Sequence, residues 1–140
     1  MAEALSAAGS DVYMYYWKWA PDPAKVCEDY GEDAEVSPWG RAMHCMEVVF
    51  AFGTTKEGYD TLAGKEEDLP MDLVEKTMAT WYTFAKTGNP NNDTMGVEWP
   101  TYNADTRDTM VVNEDATWKV ESDPRSEDRK VLDQKRPTGE

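Results

Sequence analysis

Histidine is almost missing from this 140-residue chain: there is one, His44. Cysteine is nearly as scarce, with only Cys27 and Cys45. Two cysteines are too few to define a disulfide framework, and the sequence leaves open whether these two pair. A zinc site needs three or four converging ligands, which one histidine and two scattered cysteines do not supply. No metal and no other cofactor is therefore expected. Basic residues are outnumbered, 14 Lys and Arg against 28 Asp and Glu, for a net charge of −14. That balance argues against nucleic acid as a partner, because phosphates attract Lys and Arg surfaces. It equally disfavours an anionic membrane surface. No apolar run approaches the roughly 20 residues of a membrane-spanning helix. Residues 1 to 10 lack the basic start and apolar stretch of a signal peptide.

What remains reads as one domain's worth of α/β sequence. Residues 2 to 8 are alanine-rich and helical, stopped by Gly9. Asp11 to Trp19 reads as a strand, built on the run Val12-Tyr13-Met14-Tyr15-Tyr16-Trp17 with its high β-propensity. Unbroken apolarity predicts a strand buried on both faces, as in a parallel sheet covered by helices. Residues 20–40 form a loop punctuated by Pro21, Pro23, Gly31, Pro38 and Gly40. A short helix is expected from about Met43 to Phe52, placing Glu47 on the same face as His44, three residues on. Adjacent side chains diverge on a helix, so His44 and Cys45 do not face each other.

Residues 53–67 read as polar loop. The longest helix starts at Asp68 or Leu69, has Pro70 in its first turn and runs to about Lys86. Gly88 and Pro90 end it. Leu73, Val74, Thr77, Met78, Trp81, Phe84 and Ala85 share its apolar face, an ordinary core stripe. Thr109 to Asn113 is a second short strand, and residues 125–140 read as a last helix fraying into solvent. Two strands fall short of the four to six that sheets usually hold. The simplest physical reading is a piece of a larger α/β domain.

Three motifs sharpen that reading. Ala42-Met43-His44-Cys45-Met46-Glu47-Val48-Val49-Phe50-Ala51-Phe52-Gly53 is the first. The second is Trp81-Tyr82-Thr83-Phe84-Ala85-Lys86-Thr87-Gly88-Asn89-Pro90-Asn91, followed by Trp99-Pro100-Thr101-Tyr102. The third is Val120-Glu121-Ser122-Asp123-Pro124-Arg125. In this order and spacing they resemble the type-B carboxylesterases, α/β-hydrolases that include bacterial para-nitrobenzyl esterases and the cholinesterases. The first resembles that family's segment around the catalytic base, Ala-x-His-x-x-Glu-aliphatic-x-aromatic-x-Phe-Gly. The resemblance runs from Val12 to Arg129.

The resemblance implies the C-terminal part of an α/β-hydrolase fold, with His44 as the catalytic base and Glu47 supporting the histidine site. In that fold the triad runs Ser, then Asp or Glu, then His along the chain. The nucleophile is missing here. The serines stand at 6, 10, 37, 122 and 126, none with glycine two residues before and two after, so no Gly-x-Ser-x-Gly turn exists. No Gly-rich oxyanion loop of the His-Gly-Gly type is present either. Glu28, Asp29, Glu32, Asp33 and Glu35 precede His44 but read as a solvated acidic loop, not as the triad acid. The expected partner is thus the upstream part of the same hydrolase domain, and the expected substrate of the whole a small-molecule ester. The alternative is a hydrolase-fold interaction module without catalysis. The retained histidine motif argues against it, since a purely structural module has no need of a base.

Overall fold

The structure, a computed structural model, describes residues 1–24, 41–54 and 69–135. Along these residues run helix α1 (Ala2–Ala7), strand β1 (Tyr15–Trp17), helix α2 (Met46–Phe52) and helix α3 (Met71–Thr87). They are followed by strands β2 (Asp108–Val112) and β3 (Trp118–Ser122) and helix α4 (Ser126–Lys135). Most of the loops expected at 20–40 and 53–67 lies outside the described residues, as do Cys27, Glu28, Asp29, Glu32, Asp33 and Glu35.

The three strands form one sheet in the order β1-β2-β3. β1 pairs in parallel with β2, Tyr15 opposite Met110 and Trp17 opposite Val112. β2 and β3 are antiparallel, Asp108 opposite Ser122 and Val112 opposite Trp118. Central β2 is apolar throughout its second half, and Met110, Val111 and Val112 are buried on both faces. The β2–β3 hairpin closes through Glu114-Asp115-Ala116. Asn113 N–H donates to the Thr117 carbonyl (2.8 Å) and Ala116 takes a left-handed φ of 64°. That is the turn-plus-left-handed-residue geometry common in short hairpins. The Asp115 carboxylate accepts from the Thr117 hydroxyl (2.6 Å) and N–H (3.0 Å). Those bonds, the hydroxyl's first, hold it below its ordinary range.

β1 departs from expectation. It is three residues long, and its burial rises from exposed Tyr15 to buried Trp17. Met14 carbonyl accepts from Met110 N–H (2.9 Å) and Lys18 N–H donates to the Val112 carbonyl (2.8 Å). Backbone groups alternate in direction along a parallel ladder, so those of Tyr15 and Trp17 face away from β2. Among the described residues no strand pairs on that side. The aromatic run therefore forms an edge here, not the centre of a sheet.

The core lies on one face of the sheet, under α2 and α3. Phe50, with no exposed surface, packs against the rings of Trp17 (5.0 Å) and Trp19 (4.9 Å). Met46, Val49, Leu73, Val74, Met95, Trp99, Met110, Val112 and Trp118 complete the cluster. The α3 core stripe is Leu73, Val74, Thr77 and Thr80, with Met78 and Phe84 exposed. Two threonines are tolerated there because both hydroxyls are bonded. Thr77 donates to the Leu73 carbonyl (2.7 Å), and Thr80 accepts from Asn92 Nδ2 (3.1 Å). Pro70 caps α3 instead of occupying its first turn.

The terminal helices are tied to this body. Ser6 donates to the Tyr102 carbonyl (2.9 Å), and Glu3 pairs with Arg107. At the other end Arg129 grips Asp123 with Nη2 (2.6 Å) and Nε (3.1 Å), the bond that lowers the Asp123 pKa. Arg125 lies over the Tyr16 ring, 5.5 Å from its centroid. The last helix is thus anchored at its start.

Candidate functional site

His44 sits in a turn immediately before α2. Cys45, the next residue, caps the helix in a left-handed conformation (φ 66°, ψ 11°). Met43, packed against the core, and buried Met46 bracket the turn, leaving His44 and Cys45 exposed between them. The turn is closed by Met46 N–H donating to the Met43 carbonyl (3.2 Å) and Val48 N–H to the Cys45 carbonyl (3.1 Å). The helix therefore starts at Met46, three residues later than expected, and the shared-face argument for His44 and Glu47 does not hold. A left-handed residue between them breaks the helical spacing on which it rests.

Left-handed backbone costs a residue with a side chain about 1–2 kcal/mol, most for β-branched ones. Cys45→Val is accordingly expected to lower stability by about 1–2 kcal/mol. Cys45→Gly should be neutral or mildly stabilising, as thermal melts of the two variants would show. The thiol of Cys45 is free and exposed.

Glycine ends this segment for the same conformational reason. Gly53 (φ 63°) donates to the Phe50 carbonyl (3.3 Å), and Thr54 N–H reaches the Val49 carbonyl (3.1 Å). This pair of bonds is the Schellman stop, which needs a left-handed residue at Gly53.

Among the described residues no hydrogen bond to the His44 ring is found, and Glu47 turns elsewhere. Its Oε1 accepts from the Tyr15 hydroxyl at 2.9 Å, joining α2 to β1 across 32 residues of sequence. Burial, then the Glu47 bond and charge, then Cys45, push the Tyr15 phenol up to about 12. Tyr15 is thus a neutral donor at any ordinary pH. Its ring meets the edges of Trp81 (5.3 Å) and Trp99 (6.3 Å). Together with Tyr13, Thr80, Phe84 and Pro90 these rings line a cavity of about 120 Å³. Sequence reasoning took Tyr15 only as part of a strand; the tyrosine's partner is too distant along the chain to be read from local pattern. Among the described residues no group of three or more His, Cys, Asp or Glu could hold a metal ion.

The second motif closes on itself. Asn91 Oδ1 accepts from Trp99 N–H (2.7 Å) and Asn91 Nδ2 donates to the Trp99 carbonyl (2.9 Å). One side-chain amide thus serves both backbone groups of Trp99, as a neighbouring strand would. Trp99 Nε1 in turn donates to the Met14 carbonyl (3.1 Å). The asparagine after the helix stop and the tryptophan before the proline are therefore one structural device, locking the connection after α3 onto β1.

A sequence model of the carboxylesterase family matches residues 1–132. This chain belongs to the carboxylesterase family. It is 34% identical over 122 residues to the para-nitrobenzyl esterase of Bacillus subtilis, covering 86% of this chain and 21% of that protein. To human carboxylesterase 5A it is 37% identical over 100 residues, 69% of this chain and 15% of the relative. A para-nitrobenzyl esterase structure superposes with a TM-score of 0.72 at 33% identity, covering 94% of this chain and 23% of that one. The Geobacillus stearothermophilus carboxylesterase at pH 6.2 gives 0.63 at 25% identity, covering 92% and 23%. The chain spans about a fifth of the length of these esterases. The expected fold class stands: three strands and their helices form part of an α/β-hydrolase. The sheet adds to the expectation a third strand, β3, from the motif that carries Val120 and Glu121.

Proposed function

We propose that this carboxylesterase-family chain supplies the catalytic base, His44, to a serine-type carboxylic-ester hydrolase. The nucleophile and acid come from the upstream part of the same hydrolase domain. The observation that carries the reading is the histidine motif of residues 42–53 within the region that matches the family, with His44 exposed on a turn held by two core methionines. In the assembled enzyme a serine attacks the ester carbonyl while the His44 imidazole takes its proton. The imidazolium then returns that proton to the leaving alcohol, and the neutral ring activates water to cleave the acyl-enzyme. A carboxylate from the upstream part holds the ring in its working tautomer. Glu47 supports the site from the first turn of α2.

The surface of the chain supports a partner of this kind. β1 offers the backbone groups of Tyr15 and Trp17 on its unpaired side, a template for another strand. Phe52 and Tyr82, on α2 and α3, are 74% and 67% exposed. An upstream sheet and its helices would cover both.

The reading is tested on the chain alone, which should react with neither a fluorophosphonate probe nor a para-nitrophenyl ester above background. Loss of a triad nucleophile lowers turnover on the order of 10⁶-fold, and the residual catalysis needs an oxyanion hole. Mass spectrometry of the probe-treated chain should show no adduct on Ser6, Ser10, Ser37, Ser122 or Ser126. Stoichiometric labelling of one of them would place a nucleophile in this chain and refute the division of labour.

A further inference from the structure

We propose that Tyr15 is a positioning residue for His44, holding the Glu47 carboxylate against β1 so that it cannot pair with the imidazole. The inference rests on the reading of His44 as the base. A base that must take a proton from a serine works through a neutral imidazole nitrogen with no ion-pair partner of its own beyond the triad acid. Glu47 is the nearest acidic residue in sequence, three positions on, in the first turn of the helix that the histidine turn opens. A carboxylate so placed is a ready partner for a protonated histidine, and pairing would favour the charged ring over the neutral one.

The structure gives Glu47 a different partner. The Tyr15 hydroxyl donates to Glu47 Oε1 at 2.9 Å, and the phenol cannot drift, because its ring is wedged between Trp81 and Trp99. Trp99 is fixed in turn by its bond to the Met14 carbonyl and by the Asn91 clamp. The charged or titratable groups that act on this contact are Glu47 itself and Cys45. The other neighbours are aromatic. A rigid aromatic scaffold on the sheet thus restrains a carboxylate on the helix, and the left-handed Cys45 keeps the histidine turn out of line with that carboxylate.

A single histidine makes the test direct, since acylation by diethyl pyrocarbonate, followed by absorbance, reports the free neutral imidazole of His44 alone. In the 140-residue chain at pH 7, Tyr15→Phe should slow the reaction about threefold, the size of effect an exposed ion pair produces. Tyr15→Phe with Glu47→Gln should restore the original rate, because the released carboxylate is gone. Tyr13→Phe, which alters a ring on the same Trp99 without touching Glu47, should leave the rate unchanged. A Tyr15→Phe rate equal to the parent's, or a slowing that persists in the double variant, would overturn the proposal. Glu47→Gln alone decides the matter even if the tyrosine variant does not fold. The proposal expects its rate to match the parent's, whereas a severalfold acceleration would mean that Glu47 already pairs with His44. The role of His44 itself is judged by ester hydrolysis in the assembled enzyme, so either idea can fail without the other.

Discussion

When this chain is combined with the part of the domain that carries the nucleophile, His44→Ala is expected to abolish ester hydrolysis, lowering kcat on the order of 10⁶-fold. The size follows from the chemistry. Without the imidazole the serine keeps its proton, the leaving alcohol receives none and the deacylating water is not activated, so both halves of the reaction lose the same group. Stability should barely change, within about 0.5 kcal/mol, because His44 is exposed and its anchors, Met43 and Met46, are untouched. That separation makes the variant informative. Hydrolysis of a para-nitrophenyl ester should fall to background while the thermal midpoint stays put. Activity above about one hundredth of the parent's would remove His44 from the role of base.

The largest effect on stability is expected at Trp99. Its side chain is 4% exposed, meets the rings of Tyr13, Tyr15, Trp81 and Trp118, and donates Nε1–H to the Met14 carbonyl. Trp99→Ala removes a large buried aromatic and leaves a cavity that the stiff surrounding rings can fill only in part. Such truncations cost about 3–5 kcal/mol. The Met14 carbonyl is not orphaned, since Met110 N–H also bonds it, so the loss is one of packing more than of polar satisfaction. For a domain whose whole stability is about 5–15 kcal/mol, this is a large fraction. Chemical denaturation should show it as a fall in midpoint with little change in slope. Trp99→Phe, which keeps most of the packing, should cost much less. Equal losses for the two would mean that the indole N–H, and not the ring cluster, holds this region together.

Much of the architecture was legible in the residues. The alanine-rich start, the α3 stripe ending at Gly88 and the strand from Thr109 all rest on short-range patterns, and the structure has them in place. The features that escaped are those set by long-range contact or by unusual backbone. β3 alternates Trp118, Lys119, Val120, Glu121 in a five-residue edge, too short and too polar to stand out as a strand. The Val12–Trp17 run carries the apolarity of a central strand, yet among the described residues it has a neighbour on one side only. Nothing in the letters Met43-His44-Cys45 signals that Cys45 is left-handed, and so the start of α2 was placed too early. At the site, His44 was found from its motif alone. The Tyr15–Glu47 bond was not, because its partners are 32 residues apart and only the fold brings them together. Asn91 is a similar case: its motif marks it out, but only the structure gives the reason, two bonds to the backbone of Trp99.

Ester hydrolysis after co-expression tests the central claim most directly. The segment encoded immediately upstream of the codon for Met1 is produced alongside this chain, and hydrolysis of a para-nitrophenyl ester is measured for each part and for both. The account predicts a Gly-x-Ser-x-Gly turn in that segment, no activity from either part alone and hydrolysis when the two are present together. An upstream region encoding an unrelated protein, or a pair that binds and folds yet hydrolyses nothing, would contradict it.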